Sequence, residues 1–224
     1  MDVLHFFKER TRFIRQFYDA AAGPFVSTMR AIEDSLPPFD NPPYSEDGEP
    51  AYLVEWLEAS EGLEVLGRTC LSMLSPSLQL YFRTWEQQIG VRWEVGERKK
   101  AFGKGFIEGY LTCFEQVLGI SRSDCTADLA LIEQITLARN RDQHPEEITS
   151  MRVAHSKSDR EKHSRLFFMS KQDRAMFDDA DLAKLSFLNP AVHVSRAQLE
   201  VAIGEAEKLA DWLDGHLVHA RWKG

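Results

Sequence analysis

The sequence predicts an all-α protein: an up-and-down bundle of five or six helices, with a long insertion before the last one. Two observations carry this. Apolar residues recur at spacings of three and four along most of the 224-residue chain. The last such stretch also opens on a start signal, Ser195 with Gln198 three positions on, the pattern of a capping box. A hydrophobic fraction of 43% is enough for a core, and 14 phenylalanines and 5 tryptophans can fill the spaces between helices.

The elements follow in order. Phe6, Phe7, Phe13, Ile14, Phe17 and Tyr18 mark a first helix up to the Gly23-Pro24 break, with a continuation through Val26, Met29 and Ile32. Residues 35–50 hold five of the nine prolines and read as a linker or surface wrap. Leu53, Trp56, Leu57, Leu63, Leu66, Cys70 and Met73 give a second helix, which Pro76 restarts through Leu78, Tyr81, Phe82, Trp85 and Ile89. Another helix is expected through Phe102, Phe106, Tyr110, Phe114 and Val117, spaced nearly by four. A helix over 128–143 precedes the insertion, where Leu166-Phe167-Phe168-Met169 reads as a short strand of a hairpin. The final helix places Leu199, Ala202, Ile203, Ala206, Ala210, Leu213 and Leu217 on one face. The expected organisation is thus an N-terminal helical extension (1–34), a Pro-rich linker (35–50) and a helical domain (51–224) with a basic insertion at 146–194.

Charge narrows the function classes. With 27 Lys and Arg against 35 Asp and Glu, the net charge of −8 argues against a general nucleic-acid coat. The distribution is uneven. From Glu33 to Glu64 there are ten acids and no Lys or Arg, whereas residues 152–174 carry seven bases against three acids. No apolar run approaches the roughly 18 residues of a membrane span, and the start Met1-Asp2-Val3-Leu4-His5 lacks a signal peptide's basic region. Three cysteines (Cys70, Cys113, Cys125) without metal-ligand spacing read as reduced thiols. The expectation is a soluble cytoplasmic protein without a membrane partner.

The run Arg139-Asn140-Arg141-Asp142-Gln143-His144-Pro145 carries the chemistry. It groups a fixed cation, an amide and a proton carrier, which is what cleavage of an RNA phosphodiester requires. Arg139 lies on the stripe of Leu129, Ile132 and Thr136. Asn140 and His144, four apart, would share a face if the helix continued. Pro145 disfavours helical geometry at His144, so the helix is expected to end at Asp142 or Gln143 and to release the imidazole toward Arg139. A plainer reading fits the same residue types: Arg139, Arg141 and His144 complement the negative end of the helix dipole.

The run Arg139-Asn140-x-x-x-His144 resembles the signature of the HEPN superfamily, all-helical domains in which this motif ends one long helix and another follows after a loop. The resemblance covers the motif helix and the helical plan over about residues 52–219. It implies a metal-independent endoribonuclease without a cofactor, with a site formed across a homodimer, often in a toxin or phage-defence effector held by an antitoxin protein. On that resemblance His144 is the general base or acid, Arg139 holds the scissile phosphate, and Asn140 orients His144 or bonds a phosphate oxygen. The basic stretch begins just beyond His144, so Arg141, Arg152, Lys157, Arg160 and Lys162 are expected to bind RNA. The acidic span 33–64 is a candidate antitoxin-facing surface. Members of the family that lack the motif serve as binding modules. The alternative is therefore a non-catalytic dimeric module that captures a nucleotide or partner protein through the same cleft.

Other patterns are weaker. Gly103, Gly105 and Gly109 have the wrong spacing for a dinucleotide fingerprint and follow no strand, so close helix approach is the better reading. His216 and His219 lack a convincing third ligand and read as surface histidines. The carboxylates Glu55, Glu58, Glu61 and Glu64 read as a solvated helix face.

Overall fold

The computed structural model describes residues 2–44, 48–144, 152–178 and 189–221. Pro145 and the stretches 146–151 and 179–188 of the expected insertion lie outside the described residues. The fold is all-α. Among the described residues there are eight α-helices, and the only β pairing is an isolated antiparallel bridge between Ala154 and Ala191.

α1 (Val3–Glu33) starts where the Asp2 side chain accepts from the His5 backbone N–H at 2.8 Å. It runs straight through Gly23-Pro24, and α2 (Leu53–Gln88) runs through Pro76. The two interruptions expected at these prolines are therefore absent. Both prolines lie on exposed positions. A helix-interior proline costs about 3 kcal/mol. In α2, the burial of Leu71, Leu74, Leu78 and Phe82 on either side of Pro76, worth about 1.5–3 kcal/mol each, outweighs that cost.

α3 (Glu97–Ala101) leads into a 3₁₀ turn at Phe102–Lys104, and α4 (Phe106–Leu118) follows. The single helix expected from Phe102 to Val117 is thus broken at Gly105, whose φ of +114 suits glycine. Phe102 folds back instead, and its ring lies where a Cβ on Gly109 would stand, 2.7 Å from the nearest ring atom. Gly109 is the one member of the glycine trio that serves close approach.

α5 (Leu129–Gln143) is the motif helix. α6 (Lys157–Lys162) and α7 (Lys171–Asp178) are short helices of the insertion, and α8 (Arg196–Arg221) closes the chain. The expected strand at 166–169 is not formed. Leu166, Phe168 and Met169 are buried, and the backbone around them is bonded mainly by side chains, Gln134, Gln198, His155 and Arg174, with one backbone N–H from outside the segment, that of His193, on the Phe168 carbonyl, rather than by a partner strand.

Three long helices set the frame. α1 runs antiparallel to α8, as the ladder Lys8–Asp211 (2.6 Å), Arg15–Glu207 (2.8 Å) and Arg196–Asp19 (2.6 Å) shows. The outer two pairs face solvent and add little stability, Arg15–Glu207 is partly buried, and all three fix direction. α2 runs parallel to α8: Gly67 meets Val194 just before α8, and the Tyr81 hydroxyl donates to the Ala210 carbonyl at 2.9 Å. All seven residues expected on the buried face of α8 are fully buried. Phe7, Ile14 and Tyr18 of α1 belong to the same core as α2, α4, α5 and α8, so residues 3–33 pack as an integral helix of the bundle. No helix is long and apolar enough to cross a membrane among the described residues.

Candidate functional site

α5 begins where the Asp128 carboxylate accepts from the Leu131 N–H at 2.9 Å, and it ends on His144, whose N–H donates to the Asn140 carbonyl at 3.1 Å. His144 has left the helix, with φ −129 and ψ 66. The helix ends at Gln143, one of the two positions expected.

Three faces of α5 have distinct partners. Leu131, Ile135 and Ala138 are buried in the core. Near its end, Asp142 accepts from Arg68 Nε at 3.2 Å and from the Ser72 hydroxyl at 2.9 Å, which ties the motif turn to α2. Arg68 is itself buried, so this ion pair anchors the end of α5 from inside the fold. The third face meets the insertion. Gln134 donates to the Arg165 carbonyl at 3.3 Å and accepts from the Phe167 N–H at 2.8 Å, while Glu133 pairs with Lys162.

Arg139 stands apart from these. It is half-buried, and its Nη1 donates to Asn140 Oδ1 at 3.0 Å. Its Nε is buried and has no hydrogen-bond acceptor among the described residues. One turn earlier, the Thr136 hydroxyl is also buried without a partner among the described residues. Asn140 and His144 are exposed, and the His144 imidazole makes no hydrogen bond among the described residues. Arg139 and Asn140 are thus joined directly, whereas His144 shares their helix end without bonding to either side chain.

The residues expected to bind RNA sit elsewhere. Two positions on from Arg139, Arg141 points about 160° away around the helix. Its guanidinium binds Asp159 at 2.9 and 3.3 Å and the Ser156 hydroxyl at 2.7 Å. Burial pushes the Asp159 carboxyl up, but Arg141 and the Ser156 hydrogen bonds outweigh it and hold the group below the ordinary range. Arg141 therefore docks α6 onto α5. Arg152 donates to the Asn189 carbonyl at 2.5 Å, Lys157 lies 3.8 Å from Glu161, and Arg160 sits over the Phe177 ring at 5.8 Å. Lys162 is the partner of Glu133. Arg141 and Lys162 thus join α5 to the insertion on a flank that Arg139 does not share.

A feature that the spacing did not reveal lies on that side. A groove of about 1040 Å³ runs between the first turn of α5, residues 162–172 and the first turn of α8. Its signal in the sequence was the pair Gln134 and Gln198, polar residues on otherwise apolar helix faces. A second concavity, about 580 Å³ between α1 and α2, is lined mainly by apolar side chains such as Phe6, Phe13 and Leu80 and offers no set of reactive groups. His219 Nδ1 is bonded to the Gly215 carbonyl and His216 packs edge-on to Trp212, consistent with surface roles. Comparison of the chain with protein-family models, with curated proteins and with solved structures finds no match.

Proposed function

We propose that the protein is a HEPN-type endoribonuclease that cleaves RNA through attack of the 2′-hydroxyl on the adjacent phosphorus. Arg139 is the observation that carries this reading. Neighbouring arginines of this acidic chain are committed to carboxylates, Arg141 to Asp159 and Arg68 to Asp142. Among the described residues Arg139 pairs with none, is steadied by Asn140, and keeps a buried donor without an acceptor. A phosphate oxygen would complete it, since guanidinium geometry matches phosphate in a way that water in a half-buried site does not.

In this mechanism His144 takes the proton from the 2′-hydroxyl as the oxygen attacks phosphorus. Arg139 stabilises the negative charge growing on the non-bridging oxygens. The P–O5′ bond breaks, and the leaving oxygen receives a proton. The products are a 2′,3′-cyclic phosphate and a 5′-hydroxyl. One chain offers one histidine at the motif, while the reaction has a proton to remove and a proton to deliver. The second proton carrier is His144 of another copy, brought close by a two-fold axis beside the ends of the two α5 helices. The exposed cations of the insertion raise the local RNA concentration at longer range.

The test is the chemistry of RNA ends produced in excess chelator. Wild type should leave cyclic phosphate and 5′-hydroxyl ends. His144→Ala should keep its fold and lose cleavage by at least about a hundredfold, the share of a general acid–base group. Equal cleavage by His144→Ala would leave the motif as a helix terminus and nothing more, and an RNA bound but uncut by wild type would favour the binding-module alternative.

A further inference from the structure

We infer that the groove between α5, the 162–172 segment and α8 is a binding site for an oligophosphate group, separate from Arg139 and independent of the ribonuclease reading. Its floor is preorganised. Buried Gln134 holds the Arg165 carbonyl and the Phe167 N–H from one side. Gln198 donates from the other side to the carbonyls of Phe167 (2.8 Å) and Met169 (3.1 Å). Two helices thus clamp the loop between them, and its side chains are presented from a fixed backbone.

The charge of the lining is the reverse of the chain's. Lys162, Arg165, Lys171 and Arg174 face the groove with a single carboxylate, Asp128, in a protein of net charge −8. Arg165 and Lys171 are exposed and carry no ion pair among the described residues. Among the described residues Arg174 bonds only neutral carbonyls, that of Leu166 at 2.9 Å and more distantly that of Phe167, and no carboxylate pairs with it. His163 also lines the groove. It is 9% exposed, and its Nε2 is buried without a hydrogen bond among the described residues, standing 3.4 Å from a Glu133 carboxylate that Lys162 already engages. The first turns of α5 and α8 add the positive ends of two helix dipoles to the same space.

The occupant this favours is compact and densely charged. With Lys162 engaged by Glu133, Arg165, Lys171 and Arg174 still exceed what one monoanion needs. Carboxylates also bound the groove: Glu133 beside Lys162, Glu64 on His193 at 2.6 Å, and Asp173 accepting from the Ala191 N–H at 3.1 Å. A long polyanion leaving the groove would run into like charge, whereas a di- or triphosphate group stays inside it. A free oligophosphate and a nucleoside polyphosphate share this chemistry.

Titration calorimetry on the full chain, with inorganic tripolyphosphate and with ATP as probes, tests it. One saturable site per chain is expected. Affinity should fall at least about tenfold in Arg165→Ala/Lys171→Ala, with an unchanged melting temperature, since both side chains are exposed and charge-assisted phosphate contacts are the strong ones. Tighter binding of ATP than of tripolyphosphate would identify a nucleoside polyphosphate; equal binding would identify the phosphate chain alone. His144→Ala should bind both probes as wild type does, so loss of cleavage and loss of binding are separable. No saturable binding of either probe, or equal affinity in the double variant, overturns the assignment. So does single-stranded RNA that binds in the groove while neither probe does.

Discussion

Arg139 can be read as a packing residue or as a phosphate ligand, and the replacement Arg139→Met separates the two because they predict opposite signs of stability. Methionine matches the length of the arginine stem and removes the guanidinium. In the wild-type fold the buried Nε–H has no acceptor among the described residues, a situation that costs about 1–3 kcal/mol. Against this stands the loss of the Nη1–Asn140 bond at 3.0 Å, near solvent and worth about 0.5–1.5 kcal/mol. The balance is a gain of roughly 1 kcal/mol for Arg139→Met, or a rise of about 2–4 °C in melting temperature for a chain of this length. Catalysis should move the other way. Removing a charge-stabilising donor costs about 2.7–4 kcal/mol in the transition state, so cleavage should fall by about a hundred- to a thousandfold.

Thermal unfolding followed by circular dichroism and single-turnover RNA cleavage in chelator give the two numbers on the same preparation. A more stable but inactive Arg139→Met is the signature of a group held for a ligand at the expense of the fold. Arg139→Lys should also fail substantially in cleavage, because an ammonium cannot form the paired contact of a guanidinium. A drop of several degrees with cleavage intact would mean that Arg139 serves packing, and the reasoning from its orphaned nitrogen would be wrong.

Gly67→Ala should destabilise strongly, by at least about 2–3 kcal/mol, the range of overpacked cores, because its Cβ would lie 2.0 Å from the Val194 carbonyl oxygen; an unchanged denaturant midpoint would show that α8 can slide. The buried His155, whose Nε2 bonds the Phe168 carbonyl at 2.7 Å, has its pKa lowered by burial. The unfolded chain therefore binds the proton first. Stability should be full above about pH 6.5 and decline as pH falls below it toward the folded-state pKa, a limb that His155→Gln should flatten in melts recorded across that range. Neutralising Lys157, Arg160 and Lys162 together should weaken binding of many RNAs alike and lower the salt slope by up to about 0.7 for each phosphate no longer neutralised, with single-turnover cleavage of bound RNA unaffected; a wild-type slope by filter binding would remove these residues from the RNA path.

The helices were legible wherever burial and periodicity agree. α8 is the clear case. Its capping box forms as read, with the Ser195 N–H donating to Gln198 at 2.9 Å and the Gln198 N–H to the Ser195 hydroxyl at 3.3 Å. The break at Pro76 was misread because local propensity is a cost of a few kcal/mol, and the long buried face of α2 exceeds it; beyond Pro24, half-buried residues such as Phe25, whose ring lies against Gly62 of α2, carry α1 on. Gly105 was the opposite error: a period near four carried the reading through a residue whose positive φ ends the helix. Leu166–Met169 looked like a strand because a short apolar run has no period of its own. Whether its backbone pairs with a strand or with side chains is decided by residues elsewhere in the chain, Gln134, His155, Arg174 and Gln198 among them.

The end of α5 was legible for a local reason: Asp128 caps its start, and His144 leaves it ahead of a proline. The partners of its arginines were not, because adjacency in sequence does not translate into adjacency around a helix. The insertion follows the motif within a few residues, yet Arg141, Gln134 and Glu133 dock it onto one flank of α5 while Arg139 occupies another. Reading the basic stretch as an extension of the Arg139 site treated chain distance as spatial distance. The same geometry accounts for a spare arginine in an acidic protein. Asp159, Glu133 and Asp142 are all engaged on faces that Arg139 does not share. Its guanidinium is left with Asn140 alone, so an acceptor for its Nε must come from outside the described part of the chain.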